Sequence, residues 1–519
     1  MFVKRSPFFR WYQKFFICLI IIALTWNLIP GIAGASSETL VAAQSIQPYL
    51  EKTIERVTEF QLDNGMKFIV LENHEAPVVS FVTFANVGGA NEPNGKTGVA
   101  HFLEHLAFKG TRRIGTTDYA AEQKLYVRED KVFDQIKAAK AAGKEQEVAK
   151  LQQELREFEK EAANYVKQNE FGRIVEKAGG EGLNAYTSAD ETAYFYSFPA
   201  NKIELWMSLE SERFLEPVFR EFYKEREVIL EERRLRTDNN PLGKMIEAFI
   251  NEAFEVHPYK RPVIGYDRDI RDLTRADVRQ FFETYYPPNN LTIAIVGDVD
   301  PAKVKQLASV YFGRFQAKPE PPKLTKVEPK QTQTREVTLE LESQPWYLEG
   351  YHIPSINHPD NAVYEVIAGL MSNGRTSRLY RSLVEQKQVA LSAQGFSGFP
   401  GDKYASLMLF YALTAPNATV DDVAEALQIE LDRLKNEPVS AKELERVKNK
   451  LRAEVLRNLD SNMGMAQLLA KYEVKTGDWK NLFKQLDDIA AVTPADIQRV
   501  AKATFVPTNR TVGRLISKQ

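Results

Sequence analysis

The chain has 519 residues with a formal charge of −2; 44% of it is hydrophobic, 27% is charged, and it holds a single cysteine. That balance excludes a disulfide-stapled scaffold, a low-complexity chain and a basic nucleic-acid binder, and it leaves no nucleic-acid partner to expect. The length exceeds one ordinary domain, so at least two are expected.

At the N-terminus Lys4, Arg5, Arg10 and Lys14 precede an apolar run from Phe15 to Ile29, and Ala33-Gly34-Ala35 follows as a small-residue cleavage site. The expectation is an exported protein, periplasmic or secreted, whose signal peptide (1–35) is cut after Ala35. The alternative is an uncleaved segment that anchors the chain in a membrane. Cys18 falls inside this segment, so the mature chain has no disulfide, thiol nucleophile or thiolate metal ligand.

Val57 to Leu62 and Met66 to Leu71 flank Asn64-Gly65, a hairpin signature, and Val78 to Val87 supplies another apolar strand. Next comes His101-Phe-Leu-Glu104-His105. On a helix, positions i and i+4 share a face, so both imidazoles can address one ion. Glu104 is placed beside them to accept a proton from a water that the ion has acidified. This HxxEH order is the inverzincin signature.

Residues 118–170 are rich in Lys, Glu, Gln and Ala, and Val148, Leu151, Leu155, Phe158, Ala162 and Tyr165 step by three and four. A turn near Gly143 predicts a helical hairpin, serving either as a partner-docking arm or as a spacer. Phe222 to Arg236 contains no Gly or Pro and reads as a charged helix. Glu225 and Glu232 lie two turns apart on one face of it. One can complete a metal site while the other holds a ligand or substrate.

Residues 316–334 hold four prolines and few apolar side chains and read as a linker between an N-terminal domain (50–315) and a C-terminal one (335–519). Thr274-Arg-Ala-Asp277 and Thr493-Pro-Ala-Asp496 each open a helix with a capping threonine, and each helix leads through a Pro/Asn turn into a strand. The paired positions are offset by 219, which predicts two homologous α+β halves, each an antiparallel sheet with helices packed on one face.

Three stretches, HFLEHLAFKGT from His101, NAYTS from Asn184 and REVILEE from Arg226, resemble the pitrilysin and insulinase family of metallopeptidases, in particular its processing-peptidase branch. The resemblance implies two sandwich halves facing across a cleft, one zinc per chain on His101, His105 and Glu232, Glu104 as general base, and Glu225 as the second acidic residue. The long gap between His105 and Glu232 departs from the family and is filled by the 118–170 hairpin. The resemblance also places a peptide substrate beside Asn184 and Ala185, paired as an added strand. Two imidazoles and a carboxylate would accept manganese or cobalt as well. In the second half the helix around Val363 to Leu370 has no histidine, so no second metal site is expected. An Arg and a Tyr that often hold substrate in the family's second half align here with Val384 and Leu391. That loss implies a homo- or heterodimer, with a metal-free homologous subunit supplying the pair, or with Arg381 substituting in a homodimer. The expected function is a zinc-dependent endopeptidase acting on peptides or unfolded segments. The alternative is a non-catalytic scaffold or peptide-binding subunit.

Overall fold

A computed structural model describes residues 47–518. The signal-peptide reading and Cys18 lie outside the described residues, among which no helix is long and apolar enough to cross a membrane. The chain divides into two units, residues 1–53 and 54–519. Of the first, only the start of a helix (Gln47–Glu55) is described.

Two mixed sheets organise the second unit. The first contains β1 (Val57–Gln61), β2 (Lys67–Glu72), β3 (Val78–Ala85), β4 (Glu181–Thr187), β5 (Thr192–Pro199) and β6 (Leu291–Gly297), in the spatial order β1-β2-β6-β3-β5-β4. The second contains β7 (Arg335–Leu341), β8 (Trp346–Ile353), β9 (Ala390–Phe399), β10 (Ser406–Thr414) and β11 (Arg510–Ser517), in the order β7-β11-β8-β10-β9. Without β1 the two orders are identical, and β6 and β11 begin 219 positions apart, the offset of the sequence repeat. The capping boxes at Thr274 and Thr493 are both formed.

One detail departs from a simple run of antiparallel neighbours. β2 and β3 do not pair; β6 enters between them, parallel to β2 and antiparallel to β3, and β11 does the same between β7 and β8. The reason is burial. Every residue of β6 is buried, and a strand apolar on both faces belongs at the centre of a sheet covered on both sides.

Helices of the same half cover one face. Phe81 stacks on Trp206 of the helix Ile203–Leu215, with ring centroids 4.4 Å apart. The opposite face is covered from the other half: the helix Asn462–Thr476 packs on β3 and β6, and the helix Pro241–Ala253 packs on β7, β8 and β11. Met245, Phe249 and Ile250 thereby share a core with Leu348, Leu407, Leu409 and Leu515. Glycine makes this approach possible, since a β-carbon at Gly350 would lie 2.9 Å from Phe249 Cζ and one at Gly513 2.7 Å from Met245 Cε.

The expected hairpin is formed by the helices Tyr119–Ala141 and Glu145–Ala163, with Gly143 between them at φ 68°. Its base is closed by pairing of Thr116 with Val166. Two buried ion pairs tie it to the first half, Arg220 Nε to Glu122 at 2.7 Å and Arg275 Nη2 to Glu129 at 2.8 Å. Residues 316–334 run without helix or strand, but they are pinned: Glu328 accepts backbone N–H bonds from Glu255, Val256 and His257.

Candidate metal centre

The HxxEH segment forms a short helix, Val99–Leu106, in which His101, Glu104 and their apolar neighbours are buried. Its N-terminus starts at Gly98 in the left-handed region (φ 88°), which supplies no capping side chain. Glu92 substitutes from upstream, accepting N–H bonds from Gly98 and Ala100 at 3.0 Å each. Burial pushes the Glu92 carboxyl up to about 8, against the pull of those two donors.

The charged helix ends earlier than its composition suggests. It is α-helical over Phe222–Arg233 and then widens into a π-helical segment, Arg234–Asp238. It crosses the motif helix so that Glu232 meets both histidines. Glu232 Oε1 is 3.7 Å from His101 Nε2, and Oε2 is 3.4 Å from His105 Nε2. One donor atom from each of His101, His105 and Glu232 lies within 4.8 Å of the others, and among the described residues this is the cluster able to hold a metal ion.

Glu225 takes the other side of His105, with Oε1 3.1 Å from Nδ1. Its second oxygen is ion-paired to Lys109, which also reaches Glu221 at 3.4 Å. Thr187, the last residue of β4, donates from Oγ1 to Glu104 Oε2 at 2.7 Å. Arg236 Nη1 approaches Glu232 Oε1 at 2.7 Å without the alignment of a hydrogen bond, leaving that buried oxygen without a hydrogen-bond partner.

The electrostatics follow from burial set against charge. Burial lowers the His101 imidazole to about 4, with His105 and Arg236 pushing the same way. Burial would lower His105 too, but Glu225 and Glu232 outweigh it and push it up to about 10. Burial resists ionisation of Glu232 and Glu225, yet the histidines, with Arg236 beside Glu232 and Lys109 beside Glu225, hold both carboxyls well below the usual range. Glu104 is raised, chiefly by burial. Two low carboxyls flanking imidazoles attract one compact positive charge, whether a proton on His105 or a divalent ion. The donor set of two imidazole nitrogens and a carboxylate, with an unsatisfied oxygen on Glu232, fits zinc.

The second half shows the same framework without the chemistry. The helices Asn361–Ser372 and Ala441–Leu459 meet as the motif and glutamate helices do, but Leu444 and Leu451 stand 219 positions after Glu225 and Glu232. A β-carbon at Gly369 would lie 2.7 Å from Val447 Cγ1, so apolar packing fills the space. Val384 packs partly against this core and Leu391 is half exposed; neither carries a polar group. Arg378 is held by both oxygens of Glu443 at 2.9 Å.

Asn184 and Ala185 lie on β4, opposite Phe195 and Tyr194. Among the described residues β4 is the outer strand of its sheet, bonded only to β5, and its far edge meets no strand. Four contributors escaped the sequence reading: Glu92, Lys109, Thr187 and Arg236. Lys109 and Thr187 were inside recognised stretches, and their spacing alone gave no sign of which carboxylate each would meet.

Family models match two parts of the chain: "Insulinase (Peptidase family M16)" over residues 67–125 and 145–267, and "Peptidase M16 inactive domain" over 272–451. The break at 126–144 falls within the helical hairpin. The chain is 30% identical over 489 residues to a zinc protease, PqqE, of Helicobacter pylori, covering 93% of this chain and 96% of the relative. It is 25% identical over 461 residues to a probable mitochondrial-processing peptidase subunit beta of Schizosaccharomyces pombe, covering 85% and 87%. A crystal structure of a protease from Helicobacter pylori superposes with a TM-score of 0.75 at 28% identity, covering 89% of this chain and 99% of that one.

Proposed function

Because the chain belongs to the insulinase family of peptidases, family M16, we propose that it is a zinc-dependent endopeptidase acting on peptides or unfolded polypeptide segments. The observation that carries this reading is the convergence of His101, His105 and Glu232 next to Glu104. A scaffold subunit has no need to keep four such groups together.

On this reading His101, His105 and Glu232 hold one zinc ion, which supplies a Lewis acid for a water molecule and for the scissile carbonyl. Glu104 takes a proton from the water and returns it to the departing amine. Thr187 fixes one oxygen of Glu104 and leaves the other for that exchange. Glu225, braced by Lys109, fixes the ring of His105 through Nδ1. The open edge of β4 offers Asn184 and Ala185 for main-chain pairing with an extended substrate, which selects backbone over side chains. The enzyme is exported and cut after Ala35, and it works as a homo- or heterodimer.

Purified protein from residue 36 should bind zinc near one per chain and cleave an unstructured peptide. Glu104→Gln should keep the zinc and lose activity by about a hundredfold to ten-thousandfold. Loss of zinc in Glu104→Gln, or equal turnover by both proteins, would refute the assignment.

A further inference from the structure

The described second half brings no cation to the positions where the resemblance expects an arginine, yet an arginine of the first half sits at the candidate metal centre. Arg236 lies one helical turn beyond Glu232, in the π-helical segment Arg234–Asp238. π-Helical turns are rare and recur at functional sites, because the widened turn re-aims a side chain. The backbone carrying Arg236 is gripped from the other side: a β-carbon at Gly243 would collide with the Arg236 carbonyl oxygen.

Its charge reaches three of the groups that the proposed reaction uses: Glu232, His101 and Glu104. Nη1 is 2.7 Å from Glu232 Oε1, the oxygen that faces His101, and the guanidinium also acts on His101 and Glu104. The side chains of His101, His105 and Glu232 are 9–14% exposed, whereas that of Arg236 is 33% exposed. It is therefore the most solvent-accessible charged group touching the cluster.

We infer that Arg236 is a catalytic residue, whose guanidinium binds the scissile carbonyl oxygen of the substrate and carries the negative charge that develops on it. The inference rests on the peptidase reading above. In the step concerned, the water oxygen adds to the carbonyl carbon as one water proton passes to Glu104. The electron pair of the C=O π bond moves onto the carbonyl oxygen beside Arg236. That pair then re-forms the carbonyl, the C–N bond breaks, and the proton on Glu104 goes to the amine nitrogen. A fixed cation aimed at such an oxyanion is worth more in the transition state than in the ground state.

The test uses the zinc-loaded full mature chain, an unstructured nonapeptide, and its phosphinic analogue, in which a tetrahedral phosphinate replaces the scissile amide. The dissociation constants of both are measured on wild type, Arg236→Ala and Arg236→Lys, together with the zinc dissociation constant of each protein. Wild type should prefer the analogue. Arg236→Ala should weaken the analogue by about a hundredfold, leave the nonapeptide within about threefold, and leave zinc affinity unchanged or tighter, because a cation beside Glu232 is gone; Arg236→Lys should recover part of the loss. Equal weakening of analogue and nonapeptide, weaker zinc binding in Arg236→Ala, or a wild type with no preference for the analogue would each overturn it. A wild type that prefers the analogue but turns nothing over would count against the peptidase reading alone.

Discussion

Thr187 Oγ1 donates its proton to Glu104 Oε2 at 2.7 Å, so the outer strand of the first sheet and the proposed general base are joined by one bond. A hydroxyl has a single proton, and this one stabilises the charged form of a carboxyl that burial raises. Thr187→Val should lower kcat by about tenfold to a hundredfold, the scale of a misplaced catalytic group, with KM and zinc content unchanged. Thr187→Ser should stay near wild type. A fall in zinc content, or an inactive serine variant, would show that the threonine supports the fold rather than the base.

Zinc on His101, His105 and Glu232 would bind only the folded chain, and so should raise the melting temperature. At a thousandfold excess over its dissociation constant it adds about 4 kcal/mol. Thermal melts with zinc and with a chelator should differ for wild type and coincide for Glu232→Ala. A zinc-dependent shift that survives Glu232→Ala would place the ion elsewhere.

His257 offers a pH test away from the metal centre. It is 2% exposed, its Nδ1 accepts the Tyr259 N–H at 3.2 Å, and its buried Nε2 has no hydrogen-bond partner. Burial lowers the imidazole from 6.5 to about 4. Between those values the unfolded chain binds a proton that the folded chain does not. The contribution is therefore complete above pH 6.5 and is lost as pH falls toward 4, at no more than about 1.4 kcal/mol per pH unit. Urea unfolding of zinc-loaded His257→Asn across this window should show a shallower pH slope than wild type; parallel slopes would rule His257 out as a contributor.

Arg220 is 1% exposed and bridges Glu122 of the hairpin insert to the carbonyl oxygens of Thr111 and Ile114, just past the motif helix. Arg220→Met strands a fully buried carboxylate, which should cost about 3–5 kcal/mol. Adding Glu122→Gln should restore part of that loss in chemical denaturation. If the single variant is neutral, the insert is not coupled to the motif loop through this pair.

The nearness of His101, Glu104 and His105 was legible because a helix brings positions i, i+3 and i+4 onto one face, whereas Glu232 was singled out from Glu225 only by the family resemblance. Thr187 and Lys109 were visible as letters but mute as to role, since their partners come from chain segments far away. The insertion of β6 between β2 and β3 was hidden for another reason. An apolar run says that a strand is buried and leaves its neighbours unnamed. The helix Pro241–Ala253 went unread in the sequence, and its pattern does not tell which sheet it covers.

That exchange of helices makes each half depend on the other for its own burial. Half a molecule would leave one face of its sheet uncovered, with Val82, Phe84 and Ala294 on one side of the duplication, or Leu348, Leu407 and Leu515 on the other, open to water. Either half by itself would have to borrow a covering helix from another molecule. The pinned stretch at 316–334 keeps the two halves in one chain, so each has beside it the helix that shields its sheet.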